Sequence, residues 1–418
     1  MKKALLVTRV SGFVPQHEMN NVKILQEMGY EVHYATDLDT VVYGTDNSRL
    51  EGTGIITHQI DFCRSPFSPG VRKSYQQLKE LMLKEKFDLI HCHMPMSAVV
   101  GRLAAQSVYR KTGRKVPVLY TAHGLHFYTG APLSNWLYYP AERFLARYTD
   151  RLILINQEDY QRGKKFPIRG KVEYVPGIGA RIPAEMEGKA DNSDRQDGVG
   201  QDRERTEPFM FRKQYHIPES TGILLSVGEL SANKNNRLMV EAMAELRDLD
   251  IVYVICGLGQ EEEYLRQRVQ ELELEEKVIF AGYVNQVSQC MEQADCFILP
   301  SFREGLPAAV MEAMVAGLPV IASRIRGVTD LIEHGKGGYL VQGFDATDYA
   351  VKVRRMFTEK EGETAVPRDK RRQQMGEWNQ ERIKEFSLEV VEEQMREIYA
   401  GVDGDFEVIR WKNKCRKY

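Results

Sequence analysis

Thirteen short apolar runs separated by amphipathic stretches constrain this chain more than any other feature. In the first half they are Ala4–Val10, Val32–Thr36, Ile55–Ile60, Leu89–Cys92, Val116–Ala122, Leu152–Ile155 and Val172–Val175. In the second half they are Ile223–Val227, Ile251–Cys256, Val278–Ala281, Cys296–Leu299, Val320–Ala322 and Tyr339–Val341. Runs without polar alternation suit strands buried on both faces, and the helical stretches between them suit the crossovers of a parallel sheet. A chain of 418 residues is too long for one comfortable core, and each series is large enough for one doubly wound domain. The fold class is therefore α/β: a Rossmann-like domain over 1–180, a polar excursion over 181–208 and a second Rossmann-like domain over 209–378. Within the excursion, Glu185 to Glu207 holds almost no large apolar residue, so it cannot bury enough surface to offset ordering.

Composition excludes several function classes. With 43% hydrophobic residues, 28% charged and a net charge of −2, the chain is an ordinary soluble protein with no general attraction to nucleic acid. No run reaches transmembrane length, and Met1 to Val7 reads as a strand rather than a leader. Six scattered cysteines, none in a C-x-x-C, point away from zinc and disulfides and toward a reducing cytoplasm.

The richest chemistry lies in Pro300-Ser301-Phe302-Arg303-Glu304-Gly305-Leu306-Pro307, between the strand Cys296–Leu299 and a helix expected from about Pro307 to Ala316. Proline suits a first helical turn. The free N–H groups around Gly305, Leu306 and Ala308 would face a strand–helix crevice with the helix dipole behind them, a seat for a diphosphate. Glu304 and Glu312 flank that seat. Carboxylates repel phosphate and accept hydrogen bonds from hydroxyls, so the arrangement describes a site for a nucleotide diphosphate sugar. An ordinary βα unit with a solvated Glu is the plainer reading of the E-x7-E spacing alone.

Other strand ends supply candidates. Gly12, after the first strand, would let backbone amides approach a phosphate, but Ser11-Gly12-Phe13 is not G-x-G-x-x-G and gives no support to a nicotinamide site. His123, at the end of Val116–Ala122, could polarise a sugar hydroxyl or a leaving phosphate, with His126 shortly after. His91 and His93 alternate onto one face of their strand; without a third ligand at useful spacing they read as cleft wall rather than a metal pair. Lys234, following Ser226-Val227-Gly228-Glu229, is a point charge for phosphate, and Gly257 ends the next strand. Asp37-Leu38-Asp39 and Asp403-Gly404-Asp405 sit in unrelated contexts, so no metal–diphosphate site is expected.

Taken together, TAHG, VGEL-x-x-x-K, I-C-G-x-G, AGY and PSFREGLPAAVMEAMVAGLPVIAS resemble a retaining glycosyltransferase of family 4 with the GT-B fold, of the exopolysaccharide or capsule biosynthesis type. The likeness runs over nearly the whole chain except 185–207. It implies two Rossmann-like domains facing a cleft, and a C-terminal helix over 379–418 that returns to the first domain and ends in a basic tail. It implies that Glu312 holds the ribose hydroxyls and Glu304 those of the donor sugar. Gly305, Leu306 and Lys234 would hold the diphosphate, Gly12 would approach it from the first domain, and His123 would sit beside the sugar. No cofactor and no metal are implied, and a UDP-sugar is the favoured donor. Many members carry Arg at the position of Glu229. Either Glu229 turns away, pairing with Lys234, or a cation such as Arg303 supplies the missing charge.

No pair of carboxylates suited to a double displacement is evident, so same-face displacement is expected, with the leaving phosphate taking the acceptor proton. The resemblance points to a saccharide acceptor, lipid-linked on polyprenyl diphosphate or soluble, and to work at the cytoplasmic face of the inner membrane. Basic residues along Val71–Lys86 (Arg72, Lys73, Lys79, Lys84), at Arg110 to Lys115 and in the tail are candidate membrane contacts. Two rivals are a sugar-nucleotide epimerase, which should show a Gly-Thr-Arg-Pro-Glu-like first loop, and a non-catalytic nucleotide-sugar-binding component of an assembly complex, which should lack some of Glu304, Glu312, Lys234 and His123.

Overall fold

The computed structural model describes residues 1–44, 46–183, 210–358 and 368–415, with backbone alone at 368 and beyond Val402. The polar run 185–207 and the side chains of the basic tail lie outside the described residues. The chain divides into two units: Met1–Ile178 with Glu389–Tyr418, and Gly179–Leu388.

In the first unit, β1 (Lys2–Val10), β2 (Tyr30–Asp37), β3 (Ile56–Gln59), β4 (Leu89–His93), β5 (Val118–Ala122), β6 (Arg151–Leu154) and β7 (Lys171–Tyr174) form one parallel sheet. Their order is β3-β2-β1-β4-β5-β6-β7, so the direction of winding reverses between β1 and β4. Ligands of open α/β sheets bind at such a reversal, beyond the carboxyl ends of the strands. The register pairs Val7 with Cys92 and His93 with Thr121, which brings Ser11, His93 and His123 toward that end.

Alternation along β1 explains the layering. Leu5 and Val7 face a core shared with Leu78 and Met82 of the helix Gly70–Glu85 and Ala98, Ala104 and Val108 of the helix Pro95–Thr112. Ala4 and Leu6 face the opposite core, with Val22 and Leu25 of the helix Met19–Glu27. The helix Leu388–Cys415 completes that second face through Val391, Met395, Ile398, Tyr399 and Val402. Helix ends follow local chemistry: Pro95 opens its helix, and Gly113 closes it in the left-handed region, its N–H bonding the Tyr109 carbonyl at 2.8 Å.

The second unit holds a parallel sheet of β8 (Gly222–Val227), β9 (Ile251–Cys256), β10 (Val278–Gly282), β11 (Cys296–Leu299), β12 (Val320–Ser323) and β13 (Gly338–Val341), in the order β10-β9-β8-β11-β12-β13. Reversal here falls between β8 and β11. The two doubly wound sheets expected from the apolar runs are both present. The segment 379–418 divides at Leu388 because Asn379, fully buried, donates from Nδ2 to the carbonyls of Leu318 and Gly337. Those bonds hold the helix Arg368–Arg382 against the second unit.

The last helix should contribute by apolar burial and little by its surface ion pair. Met395→Ala should destabilise the first unit by about 2–5 kcal/mol. Arg396→Ala, which removes the exposed pair with Glu27 (2.6 Å), should cost about 1 kcal/mol or less. Urea unfolding of both variants checks this; equal, small losses would mean that the helix does not cover the sheet.

Candidate active site

In the second unit, the turn after β11 is tied to the loop after β8. The Phe302 N–H donates to the Asn233 carbonyl (2.8 Å), Asn233 Nδ2 to the Arg303 carbonyl (2.9 Å) and Asn235 Nδ2 to the Pro300 carbonyl (3.2 Å). This stitching sets Lys234 Nζ 2.8 Å from Glu304 Oε1, in a pair that is largely shielded from water. Beneath it, the buried Tyr253 hydroxyl lies within hydrogen-bond distance of Ser226 Oγ (2.8 Å) and Asn236 Oδ1 (2.9 Å), at the start of the helix Asn236–Ala244. Gly228, Lys234, Cys256 and Pro300 line one pocket at the carboxyl ends of β8, β9 and β11. Gly257 belongs to the same strand-end geometry: its φ is +148°, and a Cβ there would stand 1.9 Å from the Gly228 carbonyl oxygen.

The helix after the turn spans Ala308–Val315, with Pro307 as its N-cap in extended conformation and Gly317 just beyond its end. No side chain caps it, and the amides of Gly305, Leu306, Ala308 and Ala309 bond to no group among the described residues. Orphan donors at a helix start, backed by the dipole, form an anion seat. Glu312 lies on the next turn. Its carboxyl is raised above the usual range because the surrounding protein strips water from the charged form, although part of the side chain reaches solvent. Ser301, fully buried at the strand end, has an Oγ without a hydrogen-bond partner among the described residues. Arg326, which the sequence did not single out, donates from Nε to the Glu304 carbonyl (3.1 Å) and braces the turn. Beside it, a Cβ on Gly327 would stand 2.0 Å from the Gly305 carbonyl oxygen.

Lys234 pairs with Glu304, which corrects the suggested Glu229–Lys234 pair: the loop stitching aims Lys234 across to the β11 turn. Glu229 and Arg303 are both exposed. A pocket of about 680 Å³ in the second unit, lined by residues such as Arg324, His334, Trp378 and Arg382, includes none of the candidate residues.

The first unit carries a separate cluster. Glu18 Oε1 lies 3.2 Å from His93 Nδ1 and 3.5 Å from His123 Nε2, and the two rings are 3.4 Å apart through the same nitrogens. Glu18 and His93 are buried, whereas 25% of the His123 side chain is exposed, so His123 is the member a ligand can reach. Burial alone would raise the Glu18 carboxyl; the adjacent His93 and His123 outweigh it and hold the group well below the usual carboxylate range. Glu18 is thus a fixed anion behind His123, able to orient the imidazole. These three donor atoms are also close enough to share a metal ion.

That geometry corrects the reading of His91 and His93 as a pair lacking a third ligand. They do share a face, with rings 4.1 Å apart, and both are fully buried. His91 uses both ring nitrogens, Nδ1 with Tyr399 Oη (2.9 Å) and Nε2 with Thr121 Oγ1 (2.8 Å), and burial keeps it neutral. The partners of His93 come from Glu18 and His123, far away in sequence. Glu18 carried no local signal, since it stands in the mostly polar run Gln16-His17-Glu18-Met19-Asn20-Asn21 at the break between the helices Phe13–His17 and Met19–Glu27. Gly12 is required for a reason the sequence could not show: a Cβ there would stand 1.7 Å from the Val42 carbonyl oxygen.

His17 packs against Phe13 and Tyr43, with ring centroids 5.1 and 5.0 Å away. Burial, aided by nearby His123, lowers its pKa from 6.5 to about 4. The unfolded chain therefore takes up this proton first, so the His17 contribution to stability is full above pH 6.5 and is lost as pH falls toward about 4. Urea midpoints of wild type and His17→Gln, measured across that window, should converge as the pH is lowered. A constant gap would show that His17 is not held neutral.

The family model described as Glycosyl transferases group 1 matches residues 209–382, and that of the Glycosyl transferase 4-like domain matches residues 17–176. EpsD of Bacillus subtilis (strain 168), named as a glycosyltransferase, is 33% identical over 360 residues, spanning 85% of this chain and 87% of that protein. A UDP-Gal:alpha-D-GlcNAc-diphosphoundecaprenol alpha-1,3-galactosyltransferase of Escherichia coli is 29% identical over 298 residues, 69% of this chain and 71% of that protein. Among solved structures, HepE of Anabaena in complex with UDP and glucose has a TM-score of 0.69 at 18% identity, over 96% of this chain and 100% of that one, a likeness of fold. With both domain models in series and a relative similar along most of its length, the chain belongs to the GT-B glycosyltransferases of the exopolysaccharide-biosynthesis type.

Proposed function

We propose that this glycosyltransferase moves a hexose from a nucleotide diphosphate sugar, a UDP-sugar by preference, to a saccharide carried on polyprenyl diphosphate, with retention at the anomeric carbon and without a metal. The observation that carries the reading is the second unit's array: unbonded amides at Gly305, Leu306 and Ala308, Lys234 held beside them by Glu304, and Glu312 one turn on. It offers donors for a diphosphate in the middle and carboxylates for hydroxyls on either side. Support for the base and the acceptor comes from relatives: HepE was solved with UDP, and the Escherichia coli enzyme is named for UDP-Gal and a diphosphoundecaprenol acceptor.

In this reading, Glu312 accepts from the ribose hydroxyls and Glu304 from the sugar. Its raised carboxyl pKa suits Glu312 to a site dried further by a bound nucleoside. Lys234 and the amides stabilise the charge that grows on the departing diphosphate. The bond from the anomeric carbon to the phosphate oxygen breaks as the acceptor oxygen attacks from the same face. The acceptor's proton passes to the leaving phosphate, so charge and atoms balance without an enzyme nucleophile. In the first unit, the solvent-facing His123, backed by Glu18, is suited to hydrogen-bond a sugar hydroxyl. Work at the cytoplasmic face of the membrane follows from such an acceptor; among the described residues no helix is long and apolar enough to cross a bilayer.

Nucleotide release from UDP-, GDP- and ADP-sugars, with and without polyprenyl-diphosphate saccharides, tests the proposal. One donor should show acceptor-stimulated release, abolished in Glu312→Ala. Lys234→Ala should lower kcat on the order of 10²-fold; a change confined to KM would remove Lys234 from charge stabilisation. Donor binding without release under any acceptor would favour the non-catalytic reading.

A further inference from the structure

In the first unit, Glu18 Oε1, His93 Nδ1 and His123 Nε2 form a nearly equilateral triangle with sides of 3.2, 3.4 and 3.5 Å. A hydrogen bond between an imidazole and a carboxylate settles at about 2.7–2.9 Å, so these groups stand further apart than their own attraction would hold them. Three ligands of one small ion adopt such a spacing. Bonds of about 2.0–2.1 Å at tetrahedral angles put neighbouring donor atoms about 3.3–3.4 Å apart, whereas octahedral angles put them about 2.8–3.0 Å apart. The three sides straddle the tetrahedral figure, and all exceed the octahedral one. Two imidazole nitrogens and a carboxylate oxygen are also a donor set that Zn²⁺ takes in three-ligand sites, with a fourth position left for water or substrate. Mg²⁺ and Ca²⁺ take oxygen instead.

The surroundings supply that fourth position. Glu18 and His123 line a small cavity of about 20 Å³ whose other walls include Thr121, Ile153 and Met395. A space of about 10–15 Å³ or more holds one water. The His123 side chain, partly exposed, opens the cluster to solvent. Orientation of the carboxylate is settled as well. Glu18 Oε2 accepts from Asn21 Nδ2 (2.5 Å), which leaves Oε1 to the triangle and provides the outer hydrogen bond that orients a ligating carboxylate. His93 differs: its Nε2 is buried with no partner among the described residues, so this imidazole lacks the corresponding bond. Loss of an outer partner lowers metal affinity by about 10–100-fold, which suits an ion taken up and released rather than one held permanently.

We infer that Glu18, His93 and His123 form a reversible Zn²⁺ site, four-coordinate with a water in the adjoining cavity, and that the bound ion inhibits the enzyme. The ion takes no part in the proposed transfer, which runs without a metal. Its effect follows from competition for one side chain: a ring fixed on an ion through Nε2 cannot turn that nitrogen to a sugar hydroxyl. Inhibition therefore rests on the role proposed for His123. Binding does not, and its test uses neither donor nor acceptor, so the two can fail separately.

Full-length protein, first treated with a chelator, is dialysed against ZnCl₂ and, as a spectroscopic stand-in, CoCl₂. One ion per chain should bind, with the intense visible bands of four-coordinate Co²⁺. Zn²⁺ should displace it, and a large excess of Mg²⁺ should not. Glu18→Gln and His123→Gln should each weaken binding by more than about 100-fold, and Asn21→Ala by about 10–100-fold. His334→Gln, which removes an exposed imidazole of the second unit, should leave binding unchanged. Unfolding midpoints and UDP affinity close to wild type would show that the variants are folded. In the transfer assay, Zn²⁺ should slow the wild-type enzyme, and Asn21→Ala should raise the inhibiting concentration by the same factor as it weakens binding. The site would be overturned by a wild-type protein that binds no Zn²⁺, or by Zn²⁺ retained in both Glu18→Gln and His123→Gln. A sulfur-to-Co²⁺ band in the near ultraviolet would place the ion on cysteine and overturn it too. Transfer undiminished at saturating Zn²⁺, or an inhibiting concentration unchanged in Asn21→Ala, would overturn inhibition through this site.

Discussion

A parallel sheet needs cover on both faces, and in the first unit this requirement joins the two ends of the chain. β1 sends Leu5 and Val7 to one core and Ala4 and Leu6 to the other. The second core is closed by Val391, Met395, Ile398 and Tyr399, more than 380 residues further along. Each fully buried side chain of this kind is worth about 1.5–3 kcal/mol relative to exposure, so the last helix is part of the fold and no appendage. It also reaches the site. Tyr399 holds His91, His91 lies against His93 with the rings tilted, and His93 shares Glu18 with His123.

The two units handle charge differently. In the second unit, a cation and an anion are paired beside the unbonded amides at the start of the helix Ala308–Val315. Glu304 keeps Lys234 beside the unbonded amides, and Arg326 braces the same turn from below. Three hydrogen bonds between the β8 and β11 loops, one between backbone groups and two from the side chains of Asn233 and Asn235, bring these two charges together. In the proposed reaction, a donor held in place by this stitching would need little reorganisation as charge develops on the leaving group. In the first unit, a buried carboxylate is kept ionised against the cost of its own burial by two imidazoles. Only the outer imidazole, His123, meets solvent.

Much of this was legible beforehand. The thirteen strands among the described residues overlap the apolar runs. For the central ones this is because a strand buried on both faces must be apolar along its length, whereas the edge strand β3 carries Thr57, His58 and Gln59 and is mostly exposed. Glu304, Gly305, Leu306 and Glu312 are local too: a strand end, a turn, a proline cap and one helical turn fix their spacing, and the structure places them together. Lys234 beside Glu304 was only half visible, since its helix start could be read but the hydrogen bonds from Asn233 and Asn235 could not. His93, dismissed as wall, and Glu18, never marked, illustrate the converse. Each looks ordinary in its own segment.

What local sequence determined was therefore the number and kind of elements, the existence of two parallel sheets and the anion seat at the β11 turn, since all of these arise from patterns shorter than one strand–helix unit. Tertiary structure alone decided what depends on contacts between distant segments. The strand order places β1 beside β4 and so brings Glu18, His93 and His123 to one point. Close packing against Val42 demands Gly12. Packing of Trp136 and Tyr139 on buried Phe127 leaves Leu133, Leu137 and Phe144 outside, while the helix Gly70–Glu85 turns Leu78 and Met82 into the core. An apolar side chain carries no mark of which neighbour will cover it; that is settled only when the layers close.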